Sequence, residues 1–157
     1  RRLRALLEAS GAAVQVTRSM GETDVALPAR IRRARETSPT AVVGISAART
    51  GAGGIRLGTL SSATSTESIA ARSMTLAAAV AKSLRQDDLA YTDVPLSSDP
   101  VLEAAPAPGL RITLGSLTDD HDRLGFRDSK WADTISRSIY RALAEVFGPP
   151  VAPPSSL

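Results

Sequence analysis

The stretch that most limits what this chain can become runs from Leu110 to Thr118, a short apolar segment that carries one arginine and is broken by Gly115. Pro106 and Pro108 stand just before it and forbid a helix across the junction, while its leucine and β-branched content fits a strand covered on both faces. A buried strand of this kind needs neighbours, and helical patterns precede and follow it. That combination points to an α/β domain with an interior sheet. In open α/β sheets ligands gather at the carboxyl ends of such strands, so Thr113 to Thr118 is the place to look for a site.

Other segments supply the layers. Leu3, Leu6 and Leu7 share one helical face and Gly11 is a natural stop; Arg1 already lies inside this helix, uncapped, which gives the expectation that the sequence begins partway through a larger domain. Ala13 to Arg18 alternates and is β-branched, the pattern of a strand. After a polar loop from Ser19 to Asp24, Pro28 marks the first turn of a helix ending near Glu36. Thr40 to Ser46 is a continuous apolar run of strand length. The glycine-rich loop from Ala47 to Gly53 leads into a second strand, Gly54 to Leu60.

The serine and threonine run from Ser61 to Thr66 can cap a long helix over Glu67 to Arg85, with Ile69, Ser73 or Met74, Ala77, Val80 and Leu84 facing inward. Between Gln86 and Ala107 the pattern is polar and proline-bearing, with a short extended piece at Pro100 to Leu102. An acidic turn, Asp119 to Asp122, follows the organising strand. The last helix starts at Asp128 or Ser129 and repeats Trp131, Ile135, Ile139, Leu143 and Val146 before Gly148. Residues 1–148 thus form one domain, and 149–157 read as a flexible proline-rich tail.

Composition narrows the functions. A core drawn from 43% hydrophobic residues suits one globular domain, but only 3% aromatics leave few platforms for stacking bases or sugars. The net charge of +3 is mild, and the arginines at positions 1, 2, 4, 30, 32, 33 and 35 read as solvated helix surface rather than a nucleic-acid face. No apolar run is long enough to span a membrane and no signal peptide is visible. Without cysteine there is neither a disulfide framework nor a thiolate metal site.

In order and spacing the segments resemble the catalytic domain of zinc-dependent N-acetylmuramoyl-L-alanine amidases, the peptidoglycan amidases of bacterial cell walls. Val14 to Arg18 with Leu27 and Arg30 is similar to the family's strand ending in threonine-arginine and its leucine-x-x-arginine helix. Val42 to Ala47 is similar to an apolar strand ending in serine-isoleucine-histidine-alanine, and Gly54-Ile55-Arg56 to glycine, aliphatic, glutamate. Ile112 to Thr118 lies without a gap on valine-glutamate-leucine-glycine-phenylalanine-leucine-serine. The resemblance implies a mixed, largely parallel sheet flanked by helices, with the family's first strand lying before Arg1.

It also implies a hydrolytic zinc held by two histidines and a glutamate, with a further glutamate as general base. Such a zinc lowers the pKa of bound water and polarises the amide carbonyl. Here the histidine position is Ser46 and the base position is Thr113, and neither hydroxyl can take those roles near neutral pH. The family's remaining ligands would precede Arg1. His121, in the acidic turn, reads as a surface histidine; Asp119, Asp120 and Asp122 lack the spacing and glycine of a calcium loop. Ser46 and Ser116 have no histidine to complete a triad, and Gly51 to Gly54 has no P-loop lysine after it.

The expectation is therefore a degenerate amidase-like domain of the cell wall, periplasm or exterior. It has no catalytic residues and no cofactor, and binds a peptidoglycan fragment or a cell-envelope protein in a groove lined by Ser46, Arg49, Arg56, Thr113 and Ser116. Arginines there could pair with stem-peptide carboxylates. Two alternatives are a working zinc amidase whose ligands lie upstream, and a structural or assembly module that keeps only the fold.

Overall fold

The computed structural model describes residues 1–18, 25–60 and 65–148. The expected tail and most of the two polar loops lie outside the described residues. Helices α1 (Arg2–Ala9) and α2 (Leu27–Glu36) come first, then strands β1 (Val42–Ala48) and β2 (Ile55–Leu60), the long helix α3 (Glu67–Gln86), and strand β3 (Tyr91–Leu96). Helix α4 (Pro100–Ala104), strand β4 (Gly109–Ser116), helix α5 (Asp120–Arg127) and helix α6 (Ser129–Phe147) complete the elements of the described residues.

The four strands lie in the order β1-β4-β2-β3, with β1 parallel to β4, β4 antiparallel to β2, and β2 parallel to β3. The organising strand is thus interior, as its composition requires. One face of the sheet packs on α3 and α6. Leu57, Leu76, Leu84, Leu110, Ile112 and Ile139 are buried there, each burial contributing roughly 2 kcal/mol. Where α3 offered two candidates for its inner side, Ser73 is the buried one and Met74 is exposed. The Ser73 hydroxyl accepts from the Gly109 N–H at 2.9 Å and donates to the Ile69 carbonyl at 2.8 Å, fixing α3 to the start of β4. Leu3 and Leu7 carry α1 onto the same core.

On the other face the described residues cover one end. Ala34 of α2 meets Val101 and Ala105 around α4, with Ile31 and Val42 against them.

Three expectations change. Val14 and Val16 are half-buried and alternate with exposed Ala13 and Gln15, but this segment pairs with no strand among the described residues. Alternation makes a strand possible and only a neighbour's ladder makes one; here the Thr17 carbonyl accepts from Arg33 Nη1 at 2.9 Å instead. Pro100 to Leu102 is helical rather than extended: Pro100 opens the first turn, and the Asp99 carboxylate caps it by accepting from the N–H groups of Val101 and Leu102 at 3.1 and 3.2 Å. The acidic turn is the start of a helix. Asp119 caps α5 by accepting from the Asp122 N–H at 2.9 Å, and Asp120 and Asp122 sit where the helix dipole favours negative charge. No helix among the described residues is long and apolar enough to cross a membrane.

Candidate functional site

The strand order brings separate sequence segments to one place. Because β1 and β4 run parallel and β2 runs against them, the carboxyl ends of the first two meet the amino end of the third. Ser46 pairs with Thr113, and Thr113 with Arg56, so three side chains stand in a row across the sheet. Paired residues share a face. This is the face opposite the α3/α6 core, since Ile55, Leu57, Leu110 and Ile112, their neighbours in the pleat, point into that core.

A hollow of about 240 Å³ opens over the row. Ser46, Arg56, Arg111 and Thr113 supply its polar lining, and Ala48, Gly58, Val94 and Leu96 the rest. Its floor is shaped by two glycines. A Cβ on Gly44 would come within 2.8 Å of the Arg111 guanidinium, and one on Gly58 within 2.8 Å of the Leu96 side chain. Both side chains can lie down on the sheet only because those positions are bare.

The two arginines of the hollow differ. Arg111 donates through Nε to Asp99 Oδ2 at 2.8 Å, with a second bond from Nη2 to the same oxygen, and Asp99 is buried. Its charge is matched inside the fold. Arg56 has no carboxylate partner among the described residues, and its Nε is buried without a hydrogen-bond partner.

Two expected site residues lie elsewhere. Ser116 is fully buried: its N–H donates to Asp122 Oδ2 at 2.7 Å, and its hydroxyl shares a 2.9 Å bond with Thr118 Oγ1. It serves the fold: its backbone and hydroxyl bonds go to Asp122 and Thr118, and it does not line the hollow. Arg49 is exposed in the loop after β1 and does not line the hollow. Conversely, Arg111, Val94 and Leu96 line it and are not among the expected groove residues; Val94 and Leu96 lie on β3, a strand that Pro95 hides in the sequence.

Asp122, which the sequence places in an acidic turn without the spacing of a calcium loop, anchors the neighbouring loops. Its carboxylate accepts from the Gly54 N–H at 3.0 and 3.2 Å as well as from Ser116. Gly53 and Gly115 leave room for it, since a Cβ would fall 2.7 and 2.5 Å from its oxygen and carboxyl carbon. Gly115, at φ 150°, also has a backbone that side chains rarely adopt.

The hollow's donors do not fit a zinc ion. Ser46 and Thr113 offer neutral hydroxyls, Arg56 and Arg111 are cations, and the one adjoining carboxylate, Asp99, is engaged with Arg111. Among the described residues no three histidine or acidic side chains are placed to hold a metal ion, and His121 is exposed on α5.

Comparison with known proteins agrees with this architecture. No curated protein matches the sequence. Among solved structures, the N-acetylmuramyl-L-alanine amidase Ami1 from Mycobacterium smegmatis superposes with a TM-score of 0.77 at 20% identity, covering 94% of this chain and 72% of that one. AmiC2 of Nostoc punctiforme gives 0.75 at 21% identity, covering 93% and 78%. The CwlD amidase from Clostridioides difficile, in complex with the GerS lipoprotein, gives 0.73 at 17%, covering 93% and 81%. These likenesses establish a shared fold. The sequence profile of N-acetylmuramoyl-L-alanine amidases matches residues 1–145, nearly the whole described chain, and so this protein belongs to that family.

Proposed function

We propose that this domain is a non-catalytic member of the amidase family that holds a peptidoglycan fragment in the hollow over Ser46, Arg56 and Thr113, at the cell wall and outside the cytoplasm. One observation carries the reading. Where the family resemblance calls for a metal-binding histidine, a general base and a neighbouring glutamate, this chain has two hydroxyls and a guanidinium with no carboxylate partner among the described residues. A dication would be repelled there and a carboxylate attracted. Neither hydroxyl can remove a proton from water near neutral pH, because both titrate far above it.

Calorimetric titration of the protein with soluble muropeptides, with and without added zinc, tests this. Binding should be zinc-independent and no stem peptide should be released. Stoichiometric zinc uptake with turnover would make the protein a working amidase; an absence of heat and of any shift in melting temperature would remove the ligand role. A second reading, an assembly module whose cleft is covered by a protein, is favoured by the CwlD relative described in complex with a lipoprotein. In that case crosslinking would recover an envelope protein, and substitutions in the hollow would leave muropeptide behaviour unchanged.

A further inference from the structure

Resting on the reading just given, we infer that the hollow recognises the terminal α-carboxylate of a short peptide ending in a small apolar residue, with Arg56 taking the carboxylate and Val94 and Leu96 taking the side chain. The charge in the hollow decides the anion. Two guanidiniums line it, but Arg111 is neutralised by the buried Asp99, so among the described residues one positive charge, that of Arg56, remains for a ligand. A single free guanidinium matches a monoanion. A phosphate dianion would leave uncompensated charge in a partly desolvated site, and a sugar hydroxyl would leave the guanidinium without a counter-charge.

The wall decides what accompanies the charge. Val94 and Leu96 sit on β3 beside Arg56 and Gly58 of β2: the register pairs Thr92 with Arg56 and Val94 with Gly58. Because Gly58 is bare and the Leu96 side chain lies within 2.8 Å of where its Cβ would be, the floor next to the guanidinium is apolar and low. Val94 is 36% exposed and so has surface to offer. A methyl-sized or isopropyl-sized side chain one bond from a carboxylate fits this pairing of cation and apolar wall. Ser46 and Thr113, on the other side of Arg56, can bond the carboxylate's second oxygen or the adjoining peptide group.

The test uses the whole protein and a pair of probes, N-acetyl-alanyl-alanine and its C-terminal carboxamide, each in both configurations, with inorganic phosphate as a third. The free acid should bind at least about tenfold more tightly than the amide. Arg56→Gln should erase that difference, and Arg56→Lys should keep part of it, because an ammonium preserves charge but not the two-pronged donor geometry. Equal affinity for acid and amide, or phosphate binding as tight as the acid, overturns the inference. If whole muropeptides bind while acid and amide remain equal, the peptidoglycan reading survives and this carboxylate assignment fails. If no muropeptide binds but the acid does, the reverse holds. The acid-against-amide comparison on the unaltered protein keeps the test decisive even if an Arg56 variant does not fold.

Discussion

Two polar regions flank the end of β4 and are built on opposite terms. Around Asp122 every group is matched: a buried carboxylate accepts from the backbone N–H groups of Gly54 and Ser116, and two glycines give it room. Around Arg56 the match is incomplete, with a buried Nε that has no acceptor and a charge that has no counter-ion among the described residues. A fold tolerates an unmatched polar group only at a cost of about 1–3 kcal/mol. The cradle therefore maintains the scaffold, while the hollow carries an unfilled demand that a ligand can meet.

The most severe way to sharpen this contrast is Asp122→Ala. It leaves the buried Ser116 N–H and the Gly54 N–H without their acceptor and empties the space between Gly53 and Gly115, so stability should fall by about 3 kcal/mol and the melting temperature by on the order of 10 °C. Urea denaturation measures it, and an unchanged midpoint would mean that the cradle holds nothing together. Ser116→Ala should cost about 1 kcal/mol through the lost hydroxyl bond to Thr118, with muropeptide affinity intact. A loss of affinity at unchanged stability would return Ser116 to the binding groove.

A third polar cluster, between α3 and α6, follows the logic of the cradle. Asp87 accepts from Ser138 and from Arg141, which also donates through Nε to Ser83 Oγ at 3.1 Å. The Ser138 hydroxyl bond, opposed in part by burial and reinforced by Arg141, holds the Asp87 carboxyl below its ordinary value. A carboxyl depressed in the folded state binds fewer protons there than in the unfolded chain. Its stabilisation is thus present above the ordinary carboxylate value and is lost as pH falls toward the lower folded one. Asp87→Asn should cost on the order of 1 kcal/mol or less at neutral pH, since Arg141 is nearly half exposed. Thermal melts down an acid series should show the gap between the two proteins closing in that window; a constant gap would assign the loss to packing.

How much of this could be read from residues alone follows the range of the forces involved. The long helices and β4 were legible because periodicity, prolines and caps are local: Thr66 and Asp128 cap α3 and α6 as their positions suggest. Strand β3 was hidden because Pro95 argues against a strand, and only its place at the edge of the sheet, with one neighbour, makes it acceptable. Val14 and Val16 misled for the converse reason, since their alternation is local but pairing is not. Helix α4 could have been found, because Asp99-Pro100 is a cap followed by a first-turn proline. In the site, Ser46, Arg56 and Thr113 were placed by family resemblance, whereas their meeting depends on the antiparallel entry of β2 between β4 and β3. The service of Asp122 to the fold depends on Gly53 and Gly54, far away in sequence, and no spacing rule announces it.

The smallest effect is the most telling. Arg56→Met keeps a long side chain on the hollow's floor but removes the buried, unbonded Nε and the unpaired charge, so the variant should be as stable as the parent or more stable by about 0.5 kcal/mol. Muropeptide binding should vanish at the same time. Stability that rises as binding disappears is the signature of a residue kept for a ligand, and it is opposite in sign to the effect expected at Asp122. Should Arg56→Met instead lower the denaturation midpoint as far as Asp122→Ala does, the guanidinium would be another scaffold element, and the distinction between a satisfied cradle and an unsatisfied hollow would fail.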